Sequence, residues 1–362
     1  MEGEVIKLYI YDTGVSLPRE LIRSMYKNQE DFSKIEYNTP TPEEIPQFTL
    51  PTVFNLRSTE QTVANTKLNV RIQVAIYEIG TVSIRIIFPL EHATEEMLAE
   101  LAFSDKIESF SKQLAEKTKA RVEAEIRKQI EVKEEQLMEM YNFYFINDTK
   151  DQAMKNKSLI AGLLVNEPDA SKMDSNYISD VLSKSISYYN DDVFFVGWEG
   201  AVLVDLLKSI DYELLMAEIA NIQLLKLRIY KQMTSSMLLA TSKSVEELDR
   251  QGFFTRIFSN KAIAMHTRLS LFSDNLNEML NRIDNTVFGL GEWYLSRIYA
   301  LFSSVFRLDE LRKTVEQDAA KISARSSIIN GKIAEKRNDE LELIVILLIV
   351  LEVILETAYL VK

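Results

Sequence analysis

The chain has 362 residues, with 42 Lys and Arg against 54 Asp and Glu, a formal net charge of −12, no cysteine and two histidines. That acidic balance argues against general nucleic-acid binding, which needs a basic surface to displace counterions from phosphates. The missing thiols remove disulfides, thiolate metal sites and a Cys nucleophile together.

The N-terminus, MEGEVIKLYIYDTG, is acidic and lacks the basic start and apolar run of a signal peptide. Residues 5–11 alternate as a strand does, and the proline-rich stretch 38–51 predicts a loop or edge connection. Leu68, Val70, Ile72, Val74 and Ile76 recur with a period of two, pass a turn at Glu78-Ile79-Gly80, and hand over to Val82, Ile84, Ile86 and Phe88. That pattern predicts an antiparallel hairpin with one face on a core. Thr94 is placed to cap a helix from Glu95 to about Met140, charged nearly all round and expected to be solvated. Residues 141–146 read as a strand, 150–165 and 176–188 as helices, and Asp192–Asp205 as two strands around a tight turn at Gly197–Gly200.

No proline follows Pro168, as long helices require. Leu215, Ile219, Ile222, Leu225 and Ile229 form an apolar stripe. A longer packing seam includes Leu269, Phe272, Leu276, Ile283, Leu290, Leu301 and Leu308, in steps of three and four that predict a bundle or coiled coil. Gly289 and Gly291 suggest a kink within it, and helix is expected to run on from about Ser304 to Val361.

Between Leu343 and Val361 there are fourteen Leu, Ile and Val residues in nineteen positions. On an insertion scale they contribute roughly −4 to −8 kcal/mol, against roughly +5 to +7 kcal/mol for Glu352 and Glu356 if both lie deep in a bilayer. The two glutamates are four apart and share one helical face. Leu343, Ile346, Leu347, Val350, Glu352 and Glu356 are therefore expected to form a membrane or oligomer helix. Lys332, Lys336 and Arg337 before the run suit a tail anchor, and the alternative is a helix buried in a soluble oligomer.

No phosphate-cradling glycine motif, HExxH or EF-hand spacing occurs. His92 and His266 read as surface or boundary residues, and the carboxylate pairs Asp191-Asp192 and Glu95-Glu96 as weak signals for acid–base chemistry. No catalytic, cofactor-binding or metal-ligating residue emerges, and no cofactor is implied.

FNLR (54–57), GTVSIRIIFPL (80–90), ISDVLSKSISYYNDDVFFVGWEGAVLVD (178–205), LMAEIANIQLLKLRIY (215–230), GEWYLSRIYALFSSVFRLDEL (291–311) and LELIVILLIVLEVILE (341–356) together cover much of the chain. This set resembles bacterial relatives of the "required for meiotic nuclear division" family of domain-of-unknown-function proteins. The resemblance implies an α+β body, a helical region and a C-terminal hydrophobic segment, with membrane association and oligomers, and it carries over no catalytic residue. Such relatives often have an Asp-Trp-Asn-like turn where this chain has Gly197-Trp198-Glu199, and a tryptophan at the position of Leu343.

The expected fold is α+β. A mixed strand and helix body spans residues 1–210, a helical bundle or coiled-coil region 211–340, and a hydrophobic, tail-anchor-like helix 341–362. The expected function is that of a non-enzymatic, membrane-associated, self-assembling scaffold on the cytoplasmic face of a bacterial inner membrane, a homo-oligomer that binds no nucleic acid. The alternative is an oligomeric channel or transport subunit with Glu352 and Glu356 near the pathway.

Overall fold

A computed structural model describes residues 1–26, 33–35, 50–130, 137–206, 210–250 and 293–360, together with positions 267, 270, 271 and 274. The fold is mixed α+β. Among the described residues one sheet holds nine strands: β1 (Gly3–Asp12), β2 (Ser33–Ile35), β3 (Thr52–Val63), β4 (Thr66–Tyr77), β5 (Thr81–Leu90), β6 (Met138–Ile146), β7 (Ser185–Ile186), β8 (Val193–Val196) and β9 (Gly200–Val204). Their order is β2-β3-β4-β5-β1-β6-β9-β8-β7. Every pairing is antiparallel except β6 with β9.

The expected hairpin is β4–β5, in register from Arg71 opposite Ile87 to Tyr77 opposite Thr81. Gly80, with φ +81°, closes its turn. A Cβ there would stand 1.9 Å from the Val15 carbonyl oxygen, so only glycine fits.

The helices are α1 (Arg19–Tyr26), α2 (Glu95–Phe103), α3 (Asp105–Arg127), α4 (Lys150–Ala153), α5 (Lys157–Val165), α6 (Ser175–Ser183), α7 (Asp211–Arg250), α8 (Trp293–Phe306) and α9 (Leu308–Leu360). The Thr94 hydroxyl accepts from the Met97 N–H at 3.2 Å and starts α2 as predicted. The single helix expected from Glu95 to about Met140 is broken at extended Ser104 and ends near Arg127. Charge all round gave no face from which to see either stop.

Alternation sorts the strands between two faces. Val5, Tyr9 and Tyr11 of β1, with Ile84, Ile86 and Phe88 of β5, join one apolar cluster with Leu98 and Leu101 of α2, Ile107 and Val122 of α3 and Leu163 of α5. The opposite face carries Asp12, Tyr77, Ser83 and Arg85 toward α7. It also carries Tyr141, whose ring centroid lies 6.0 and 5.6 Å from those of Phe302 and Phe306 on α8. Helices on both faces explain why nearly every residue of β5 is buried, as in sheets covered on two sides.

The chain divides into two compact units, Met1–Leu227 with Arg282–Asp309, and Arg228–Asn281 with Glu310–Lys362. In the first, every residue of α7 from Glu213 to Leu227 is buried, which exceeds the one-sided stripe predicted. In the second, Lys231 Nζ donates to Asp318 Oδ2 at 2.6 Å, and seven residues further along both helices Arg325 Nη1 donates to the Leu238 carbonyl at 2.6 Å. The equal step means that α7 and α9 run parallel here. Val315, Ala319, Ile322 and Ser326 of α9 are buried, in steps of four, three and four.

The tail anchor expected at 341–362 is overturned. No helix among the described residues is long and apolar enough to cross a membrane. Lys336, Arg337, Asp339, Glu340 and Glu342 precede Leu343. Leu343, Ile346, Leu347, Val350 and Glu352 are exposed residues of α9 instead of a membrane helix, and the side chain of Glu356 lies outside the described residues.

Candidate functional site

The chemistry-bearing side chains of the first unit gather where α7 crosses the sheet. Glu218 is fully buried, and its carboxylate accepts four hydrogen bonds. Tyr77 Oη and Arg85 Nη2 donate to Oε2 at 2.6 Å each, while Ser83 Oγ at 2.6 Å and Arg85 Nε at 2.8 Å donate to Oε1. The Arg85–Glu218 pair is bidentate, the strongest geometry for such a contact. Arg85 Nη1 also reaches Gln73 Oε1 at 3.2 Å, and Gln73 Nε2 reaches Asn55 Oδ1 at 3.1 Å. Eight residues along α7, Lys226 Nζ donates to Asp12 Oδ1 at 2.6 Å and to the Ile79 carbonyl at 2.9 Å. Both glutamate oxygens are thus occupied by protein donors, and the cluster ties a helix to a sheet without an open coordination position.

A second group lies at the start of α7. Burial raises the Glu213 carboxyl to about 7, and the carboxylates of Asp205, Asp211 and Asp192 push the same way, against a hydrogen bond from its own backbone N–H. Burial likewise raises Asp205, and Tyr294 on α8 is raised by burial and by Glu213, Asp192 and Asp205. Asp192 Oδ1 accepts from the Tyr188 N–H at 2.8 Å, and the Tyr188 and Tyr294 rings meet edge to face at 5.1 Å. Among the described residues no group of three or more His, Cys, Asp or Glu side chains is placed to hold a metal ion. On the other face of the sheet, burial lowers the Lys7 ammonium to about 8 against the pull of Glu108.

The Gly197–Gly200 turn is a structural joint. Gly197 N donates to the Gly200 carbonyl at 2.8 Å, Tyr141 Oη donates to the Gly197 carbonyl at 3.0 Å, and Glu199 N donates to the Leu164 carbonyl at 3.3 Å. A Cβ on Gly197 would stand 2.3 Å from that Leu164 oxygen. Gly197→Ala is therefore expected to cost about 2 kcal/mol by overpacking, read as a lower urea midpoint. An unchanged midpoint would show that α5 yields easily.

The predicted residues separate sharply. Leu308 is buried and Leu301 half-buried, but Arg307, with φ +51°, breaks the helix between them. Leu269, Phe272, Leu276, Ile283 and Leu290 of the seam lie outside the described residues, as do His266, Gly289 and Gly291. His92 lines a shallow cleft with Glu2, Glu4, Glu91 and Asn147.

Among the described residues the tail holds a long run of exposed apolar side chains. Leu341, Leu343, Ile344, Val345, Ile346, Leu347, Leu348, Ile349, Val350, Leu351 and Val353 are each between 40% and 59% exposed. At 3.6 residues per turn they surround the helix. The Glu218 network and the Glu213 cluster were missed from sequence. Their members are distant along the chain, and no local spacing brings Arg85 to Glu218.

The fold defines an α+β protein whose first unit is a sheet clasped between helices. The family described as "Uncharacterized protein MJ0711, N-terminal domain" matches residues 2–209, more than half of the chain, and the chain belongs to that family. The protein named "Uncharacterized protein MJ0711", from Methanocaldococcus jannaschii, is 24% identical over 227 residues, covering 62% of this chain and 67% of its own. No solved structure matches significantly. The resemblance to the meiotic-division family is thereby corrected: the family shown is a different one, and the homologue is archaeal. Segments 54–57, 80–90 and 178–205 fall inside the matched region. Much of them is strand and turn, whose alternation unrelated sheets share.

Proposed function

We propose that the protein is a non-enzymatic scaffold that assembles with copies of itself through the apolar end of α9. The observation that carries this is the exposure of Leu341–Val353 around the whole helix. A contiguous apolar surface of that kind is rare on a monomer, and a helix apolar all round belongs in a core. The reading is supported further by the buried ionic groups of the first unit, Arg85 with Glu218 and Lys226 with Asp12, which are spent on holding α7 to the sheet.

Truncation after Asp339 tests it. Full-length protein is expected to elute from a sizing column as a multiple of the chain mass, and the truncated chain as a monomer with unchanged circular dichroism per residue in the sheet region. Identical masses for the two would remove α9 as the means of assembly.

A further inference from the structure

Lys7 stands at the middle of β1, opposite Ile86 of β5 and Asn142 of β6. Its side chain shares a face with Val5 and Tyr9 of the apolar cluster. A lysine in such company is almost always paired. On the opposite face Arg85 and Lys226 each have a carboxylate oxygen at 2.6 Å. Lys7 has none: among the described residues no oxygen accepts from its Nζ, and Glu108 of α3 acts on it only through space.

Helix α3 packs over β1 and β5, and α5 packs over β9. Between them β6 is left partly uncovered on this face, where Met140 is 47% exposed and Asn142 half-buried. Lys7, 5% exposed, lies at the foot of that gap beside Asn142. Tyr144 is its diagonal neighbour on the same face, at the ~7–8 Å spacing that long side chains bridge. A Cβ on Gly200, opposite Asn142 on β9, would stand 3.2 Å from Tyr144 Cε2, so the ring leans toward the level of Asn142. The Tyr144 hydroxyl is buried and makes no hydrogen bond, which in a folded protein calls for a partner.

We infer that Lys7 captures a small aldehyde as an imine at the foot of this gap, a reaction independent of the self-assembly proposed above. Burial without an acceptor penalises the ammonium and favours the neutral amine, whose lone pair is the nucleophile. Lys7 is lowered accordingly to about 8, which leaves about a tenth of it as free amine at pH 7, against less than about a thousandth of an ordinary lysine. A carboxylate or phosphate would need the charged form, and Glu108 and Glu116 on the α3 side add negative charge. A neutral carbonyl suits the site better. The Nζ lone pair attacks the carbonyl carbon, a C–N bond forms, and one nitrogen proton passes to the carbonyl oxygen. That oxygen leaves as water with the second nitrogen proton, and a C=N bond closes. Tyr144 Oη is placed to hydrogen-bond the oxygen as it gains charge.

The test treats full-length protein at pH 7 with limiting propanal and sodium cyanoborohydride, which traps imines as secondary amines, and locates the modified lysines by peptide mass mapping. Lys7 is expected to react at least about tenfold faster than Lys67 and Lys172, whose side chains are 79% and 75% exposed. Tyr144→Phe, checked for unchanged circular dichroism, is expected to slow Lys7 about tenfold and to leave Lys67 at its parental rate. Lys7 no faster than the two exposed lysines in the parent protein would overturn the inference, and that comparison needs no variant to fold. A folded Tyr144→Phe chain whose Lys7 keeps the parental rate would overturn it as well, because the hydroxyl would then have no part in the capture.

Discussion

Glu218→Ala is expected to destabilise the protein by about 3–5 kcal/mol, the usual cost of stripping one partner from a buried ion pair. The guanidinium of Arg85, 3% exposed, then stays in the core without its carboxylate, and the hydroxyls of Tyr77 and Ser83 lose their acceptor at the same time. Loss of mutual attraction is the smaller part of this cost; an uncompensated buried charge is the larger. The double variant Arg85→Met/Glu218→Leu removes both charges and is expected to recover most of the loss. Urea unfolding followed by circular dichroism checks both. A single variant no less stable than the double one would show that water reaches Arg85 and takes over the role of Glu218.

The second large effect is a pH dependence centred on Glu213. In the folded chain its carboxyl is raised from the ordinary 4.5 to about 7, chiefly by burial, with Asp205, Asp211 and Asp192 adding negative charge nearby. The native state therefore holds this proton over a range in which the unfolded state has released it. Stability is fully retained below about pH 4.5 and declines as pH rises toward 7. A difference of about 2.5 pK units corresponds to about 3 kcal/mol at ~1.4 kcal/mol per unit. Glu213→Gln keeps the shape and removes the titration. It is expected to match the parent near pH 4.5 and to exceed it by up to about 3 kcal/mol at pH 8, in urea midpoints measured across that range. Asp205, raised in the same direction, leaves a smaller slope of the same sign in the variant. A gap between the two proteins that stays constant with pH would contradict this account.

The parts of the fold legible in the sequence were those with local periodicity. Leu68 to Phe88 announced the β4–β5 hairpin because only a strand repeats every second residue. Gly197 and Gly200 marked a turn: a Cβ on Gly197 would strike Leu164, and one on Gly200 would crowd the carbonyl oxygens of Asn142 and Leu163. Thr94 announced the start of α2, but the stop at Ser104 was hidden, since a serine among charged residues is compatible with either a helix or a cap.

The inner half of α7 showed the opposite failure. Its apolar stripe was visible, yet no local pattern singles out Glu218 and Lys226, because their partners, Arg85 and Asp12, lie 133 and 214 residues away. The tail was legible as apolar but not in its surroundings. Hydropathy alone does not separate lipid from sister helices, and no helix among the described residues is long and apolar enough for a span.

The two anchor points on α7 have a mechanical consequence. Glu218 and Lys226 grip the sheet about 12 Å apart at ~1.5 Å per residue, one through an arginine fork and the other through an aspartate and a main-chain oxygen. A slide of one turn, about 5.4 Å, the step by which one packed element ratchets past another in some switching proteins, would carry both charges away from their counterparts at once. Piston-like motion or axial rotation of this stretch of α7 against the sheet would break both sets of contacts together, so the stretch travels with the sheet.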